Sequence, residues 1–477
     1  MVIFTMAWNR RYSIMSYARS SLWFIPVTAL IAEIVLKRLA EVLGGWMVKQ
    51  GFYDLKTGFF ALSPTEAHAF LDRLFTLTLS CLVFTFGSLL VAIQVAGGQY
   101  TPRIIATTLL CDKVIRRIVA LFVFTLLWSN RTMVQLGSLA DVPQFQVFLA
   151  AVLGLTSLIA FIVLIDYSAK LLRPVSLVRR VGEQGLEVIE SVYPDPTRGV
   201  AVPARKGTQE FPSGRSRHAA LRSQPAMKRG SPDRIIHHSG TSGIVLAVNL
   251  QRLVDVAERA DSIIEFVPQI GDFIAVGEPL FYLYGNAGAI DDRKLLALVA
   301  LGSERTMEQD PMFSFRIEVD IALKALSPAI NDPTTAVLAI DQLYRLLRMV
   351  GNRSLHAHEI TDSAGQPRVV FRTPNWEDFV HITFREIRQC GAGSIQIARR
   401  LRAMAMNLTQ TLPEHRHAAL RKELELLDRA LEQQRMFPED VALARIPDSQ
   451  GLGGVAHLGA GLDPLDAHHV QTDHENR

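Results

Sequence analysis

Cysteine is scarce. Three thiols occur in 477 residues, Cys81, Cys111 and Cys390, and their spacing fits neither a disulfide framework nor a zinc site. Reduced thiols are the expectation. The chemical signatures that mark common enzymes are missing too. There is no glycine-rich nucleotide loop, no Gly-x-Ser-x-Gly elbow, no His-Glu-x-x-His and no Cys-His cluster. No cofactor is called for, no catalytic residue can be named, and an enzyme is the less favoured reading. Charge is missing where it matters most. Leu74–Ala96 and Phe145–Ile165 contain no Asp, Glu, Lys or Arg at all, and about 20 apolar residues suffice to cross a bilayer as a helix.

Two further apolar runs are broken by charge. Leu22–Leu36 holds Glu33 and continues into Lys37 and Arg38; Ile118–Trp128 meets Asn130 and Arg131 before Met133–Leu139 resumes. Backbone polar groups cannot stay open in lipid, so all four segments are expected to be helices. Lys and Arg set the orientation. Arg10, Arg11 and Arg19 precede the first span. Arg103, Lys113, Arg116 and Arg117 lie between the second and third, and Lys170, Arg173, Arg179 and Arg180 follow the fourth. Both termini are therefore expected in the cytoplasm, with the chain in a bacterial inner membrane. Pro26 within the first run, and the lack of an Ala-x-Ala cleavage pattern after it, favour an uncleaved anchor.

Two charges fall at membrane depth. At ~1.5 Å per residue, Glu33 sits roughly 16 Å beyond Leu22, and Arg131 roughly 20 Å beyond Ile118. Both spans run outward, so the two charges reach similar depth. Such residues usually pair or line a cavity. One reading has Glu33 and Arg131 face each other inside the bundle; the slightly favoured one has each side chain snorkel to the outer interface beside Trp46 or Trp128.

After the spans the composition changes. Tyr193–Asp233 is rich in Pro, Gly, Ser and Arg, with almost no large apolar residue after Phe211. It cannot bury enough surface to offset its ordering entropy, so disorder is expected. Arg198, Arg205, Lys206, Arg215, Arg217, Arg222, Lys228 and Arg229 make it basic. A solvated linker with no specific partner is the favoured reading; anionic lipid headgroups on the cytoplasmic side are the partner its charge would suit. Nucleic acid is not, because aromatic residues do not interleave with the basic ones.

From Gly243 short β-type runs alternate with Gly and Pro turns. The unit Gly271-Asp272-Phe273-Ile274-Ala275-Val276-Gly277-Glu278-Pro279-Leu280 looks like the turn-strand-turn of biotinyl- and lipoyl-type sandwich domains. No lysine lies between Lys228 and Lys294, so a covalent carrier role is excluded. Two helices follow. Asp310-Pro311 and Asp332-Pro333 each pair a capping carboxylate with a proline at the first helical position, and Pro328 ends the first helix. The spacing predicts a helix from about Met312 to Leu326. Capping leaves Asn331 and several charges without a role. A second reading has Asp310, Asp320, Asn331 and Asp332 converge as oxygen ligands for Mg²⁺ or Ca²⁺, or Arg305 and Arg316 hold an anion. In the plainer reading Arg316 and Asp320 form an i,i+4 pair. Whether any metal binds is left open by the residues. Helical stripes continue through Trp376–Leu408, with a break at Gly391 and Gly393, and through Glu414–Arg435, which serves as a core helix or an oligomer seam.

Gly302–Thr306, Gln309-Asp310-Pro311, Val319-Asp320-Ile321-Ala322 and Ala325–Ala336, together with Gln99-Tyr100-Thr101-Pro102-Arg103, resemble the bacterial family of predicted membrane proteins called domain of unknown function 2254. The resemblance covers roughly residues 15 to 435. It implies an integral membrane protein with a cytoplasmic C-terminal domain and brings no activity, cofactor or catalytic residue.

The expected fold is an α-helical membrane domain of four transmembrane helices plus a cytoplasmic α+β domain with a small β-sandwich-like module and a helical C-terminal part. The expected boundaries are a cytoplasmic N-terminus (1–20), transmembrane domain (21–175), juxtamembrane segment and basic linker (176–234), β-rich module (235–290), helical domain (291–436) and disordered tail (437–477). The expected function is a channel, transporter or membrane sensor, whose cytoplasmic part responds to a ligand or assembles a homo-oligomer. The alternatives are a membrane-tethered enzyme using the acids at 310, 320 and 332, and a scaffold with no small-molecule site.

Overall fold

The computed structural model describes residues 8–12, 24–49, 62–99, 112–137, 142, 144–171, 173–196, 230–355 and 359–448. The basic linker from 197 to 229, Cys111, the 100–103 stretch and the chain beyond 448 lie outside these. The chain divides into two compact units, Met1–Val181 with Ala297–Gly302, and Gly182–Leu296 with Ser303–Arg477.

The first unit is built on α1 (Phe24–Lys49), α2 (Pro64–Gln99), α3 (Lys113–Leu136), α4 (Gln144–Leu171) and the start of α5 (Pro174–Val192). Up-down packing follows from the contacts. The Gln144 side chain donates to the Leu62 carbonyl, Leu74 meets Gly154, and Phe84 packs edge-on to Phe161, so α2 and α4 run the same way. Trp128 donates to the Gln146 carbonyl and Thr125 shares a hydrogen bond with Ser157, so α3 runs against α4. Ala40, Ala67, Leu71, Trp128, Leu136 and Val147 form the core at one end. Val83, Leu90, Leu155 and Ile162 point outward and are more than half exposed, the arrangement lipid requires and water penalises. The buried hydroxyls of Thr78 and Thr85 are satisfied within their own helix, by the Leu74 and Cys81 carbonyls.

Among the described residues three helices are long and apolar enough to span: Pro64–Gln94, Lys113–Leu136 and Gln144–Ser168. The fourth expected span, α1, is helical over 26 residues. Glu33, Lys37, Arg38 and Glu41 within three turns remove it from that class by composition.

In the second unit β1 (Arg234–His237), β2 (Gly243–Val248), α6 (Leu250–Arg259), β3 (Ser262–Phe266), β4 (Phe273–Ile274) and β5 (Pro279–Gly285) follow one another. Asn249 caps α6 by accepting from the Arg252 amide. After the one-turn α7 (Asp292–Leu296) and β6 (Val299–Gly302, counted with the first unit) come α8 (Pro311–Ala325) and α9 (Pro333–Gly351). The hairpin β7 (Glu359–Thr361) and β8 (Pro367–Phe371) precedes α10 (Trp376–Gly391), α11 (Ile395–Thr411), α12 (His417–Glu432) and α13 (Pro438–Ala444).

Two expectations need correction here. The β-module does not close on itself. β1, β5 and β3 join β8 and β7 in one sheet of order β1-β5-β3-β8-β7, with β3 and β8 parallel through Ile264↔Val369 and Phe266↔Phe371, while β2 pairs with β4 in a separate sheet. The physical reason is edge pairing: β5 satisfies only one side of β3, and a strand about a hundred residues later satisfies the other. The tail is also not featureless from 437. Pro438 opens α13, and the Arg399 and Arg400 side chains bind the Ile446 and Asp448 carbonyls beyond it. The break expected at Gly391–Gly393 separates α10 from α11. Leu420, Leu427 and Leu431 of α12 are buried within the chain, as a core helix demands.

Candidate functional site

The acidic corner of the second unit is held by capping. Asp310 is 4% exposed. Its Oδ1 accepts from the Phe313 amide at 3.1 Å, and its Oδ2 accepts from Arg305 Nε at 2.9 Å and Nη2 at 2.6 Å. The Arg305 guanidinium lies over the Phe313 ring. Gly271 is required beneath them: its φ is +94°, and a Cβ there would come within 2.6 Å of Arg305 Nη2. Gln309 accepts from the Val248 amide, so this loop fastens β2 to the start of α8. Burial pushes the Asp310 carboxyl above its ordinary range, against the pull of Arg305 and the Phe313 amide.

The other corner residues each have a separate task. Asp332 accepts from the Thr335 amide at 3.0 Å and from the Thr335 hydroxyl. Asn331 turns the chain in the left-handed region at φ +49°, and its amide donates to the Ser327 carbonyl; asparagine tolerates that conformation better than most side chains. Asp320 pairs with Arg316, whose two terminal nitrogens clasp Glu386 of α10 at 2.6 and 2.9 Å. Glu386 holds Arg316 above, and Arg316 holds Glu386 below, their ordinary ranges. Asp310 and Asp320 lie ten residues apart along one helix, roughly 15 Å. Arg305 and Arg316 are each engaged by carboxylates. Among the described residues no group of three His, Cys, Asp or Glu side chains is arranged to hold a metal ion.

In the first unit, charges converge between α1 and α3 without full satisfaction. Glu33 and Lys37 stand one turn apart on α1, and Trp128, Arg131 and Thr132 cover one turn of α3. Arg131 Nη1 lies 3.3 Å from Glu33 Oε2, with Glu33 2% exposed. Lys37, 1% exposed, donates to Thr132 Oγ1 at 3.1 Å and sits 5.4 Å from the Trp128 ring centroid. Thr132 in turn donates to the Trp128 carbonyl. Among the described residues three buried oxygens of this cluster have no hydrogen-bond partner: Glu33 Oε1, Ser129 Oγ and Gln146 Oε1. In lipid such atoms are expensive unless water or an ion meets them. Glu33 and Arg131 thus stand at ion-pair distance, with the Arg131 side chain still 43% exposed. In the sequence Lys37 is only a charge that follows the first apolar run, and nothing local separates it from Arg38, which is exposed.

A third polar group went unread in the sequence. Asp112 caps α3 through the Val114 and Ile115 amides, and its other oxygen accepts from Tyr167 at 2.6 Å and Arg180 at 2.5 Å. This latch fixes α4 and the first turns of α5 to the opposite end of the bundle from Glu33.

A family model for a predicted membrane protein, DUF2254, matches residues 19–407. The chain belongs to that family. DUF2254 relatives include uncharacterized proteins of Mycobacterium bovis and Mycobacterium tuberculosis, each 24% identical over 443 residues, which is 91% of this chain and 80% of theirs. No solved structure matches the chain.

Proposed function

We propose that this DUF2254 protein is an inner-membrane ion transporter or channel whose pathway runs through the Glu33–Lys37–Arg131 cluster. α1 serves as the fourth span in this reading, with its charges turned to the bundle interior, and both termini are cytoplasmic. One observation carries the proposal: a lane of buried polar groups on α1, α3 and α4 with three oxygens left open. A purely structural bundle gains nothing from such a lane, since each unmet polar atom in hydrocarbon is a penalty. A pathway needs the lane, because passing ions and water supply the missing partners transiently. The Glu33–Arg131 pair acts as the gate, closed when joined. The basic residues between 198 and 229 hold the juxtamembrane region against anionic headgroups, at ~1 kcal/mol per residue near the surface.

The test is flux. Full-length protein reconstituted in vesicles should pass ions faster than protein-free vesicles. Glu33→Gln and Lys37→Met should each change that rate severalfold while inserting normally. Vesicles that leak no proton, potassium or chloride above background, or variants indistinguishable from the parent, would defeat the reading.

A further inference from the structure

Glu318 sits in the middle of α8 and is fully buried, at 0% exposure. Among the described residues neither carboxyl oxygen meets a hydrogen-bond donor in good geometry, although the Gly182 amide lies close enough to pull on it. A charged carboxylate so placed is among the costliest arrangements a protein interior can hold. The surrounding elements offer it little. The part of α5 in the second unit presents backbone rather than side chains: a Cβ on Gly182 would come within 2.4 Å of Gln342 Oε1, and one on Gly185 within 2.8 Å of Leu346 Cδ2 and Ser314 Cβ. α9 contributes Gln342, Leu346 and the exposed Arg345, whose Nη1 is already taken by Gln342 at 2.7 Å. α10 meets α8 through Phe379 against Phe315 and, at the surface, through Glu386 on Arg316. Farther along α5, Glu190 lies 3.6 Å from Arg353.

From this geometry we infer that Glu318 is a proton-binding site and that the close seating of α5, from Gly182 onward, on α8 and α9 requires it to be neutral. The glycine seam seals the carboxyl from water. A proton lets that seal close; its loss demands solvent or a cation, and the seam is the nearest cover to open. Burial pushes the carboxyl well above the ordinary glutamate range, outweighing the opposing pulls of the Gly182 amide and Arg345. A group with a raised folded-state pKa contributes stability that is complete at low pH and lost as pH rises through that pKa. The seam is therefore tight in acid and loosens toward alkaline pH. The inference is independent of the transport reading and stands or falls without ion flux.

The experiment is hydrogen–deuterium exchange of the full chain in detergent between pH 6 and 10, read on peptides from residues 182–192 and normalised to unstructured peptide at each pH. In the wild type, protection of this segment falls by up to about tenfold per pH unit between the ordinary carboxylate range of the open state and the raised one of the closed state, and levels off above it. In Glu318→Gln it stays level. Glu318→Met, neutral and of similar length, gives the same level profile and covers the case in which the glutamine variant does not fold. Level protection in the wild type across the whole range overturns the inference, as does the same fall in both neutral variants.

Discussion

Replacing Asp310 by alanine removes two supports at once. The carboxylate caps α8 through the Phe313 amide and neutralises Arg305 through two hydrogen bonds. Loss of an N-cap costs about 0.5–2 kcal/mol. A hydrogen bond to a charged group is worth about 1.5–3 kcal/mol, of which part is recovered here because the Arg305 side chain is 30% exposed and can turn to water. Together the loss is about 2–4 kcal/mol. Asp332→Ala removes the equivalent cap on α9 and no ion pair, so it should cost about 0.5–2 kcal/mol. In a unit of this size each kcal/mol moves a melting midpoint by roughly 2 °C. Thermal melts of the detergent-solubilised chain should therefore rank wild type above Asp332→Ala above Asp310→Ala, with Asp310→Asn between the last two because asparagine caps as well as aspartate. Mg²⁺ or Ca²⁺ should leave the wild-type midpoint where it is. Equal shifts for the two alanine variants would refute the assignment of roles. A cation-dependent rise that disappears in Asp320→Asn would show the acids acting together as a site, against the separation along α8.

Three further outcomes follow from the same geometry. Charge reversal at either Glu33 or Arg131 places like charges at 3.3 Å and should lower the yield of folded protein in membranes; the double exchange Glu33→Arg with Arg131→Glu should restore much of it, and a failed rescue in a double-mutant cycle would deny the pairing. Gly185→Val puts branched carbon into Leu346 and Ser314 and should cost about 1–3 kcal/mol in the same melts; a tolerated valine would mean the helices do not approach so closely. Glu386 carries a lowered pKa from Arg316. Its contribution is present above the ordinary glutamate pKa and lost as pH falls through the lowered value. Wild type and Glu386→Gln should therefore differ at neutral pH and converge in acid, measured as the gap between their midpoints.

What could be read from the sequence was set by range. Asp310-Pro311 and Asp332-Pro333 are local signals, and both caps form as their chemistry dictates. Glu33 and Arg131 are distant in sequence, yet helix rise alone brings them to one depth. Contacts without such a ruler stayed hidden. Glu386 is 70 residues from Arg316, and β8 is about a hundred from β3; neither partner leaves a mark near the other. Glu318 was hidden for a different reason. α8 is buried on nearly all sides, with Phe313, Phe315, Ile317, Val319 and Ile321 enclosed together, and a single stripe at 3.6-residue spacing assigns glutamate to the outer face by default. Ile317 and Val319 flank Glu318 on nearly opposite sides of α8 and both are buried, so the residue between them is enclosed, while Arg316 and Asp320 take the part-exposed side. Read that way, Glu318 and the Glu33–Lys37 turn are the same signal: ionisable side chains placed where neither water nor lipid welcomes them. Stability alone gives no reason to keep either, since an apolar residue of similar volume would serve the packing better. On the two proposed readings Glu33 and Glu318, rather than the proline-rich corner between α8 and α9, are where substitution should alter function before it alters fold.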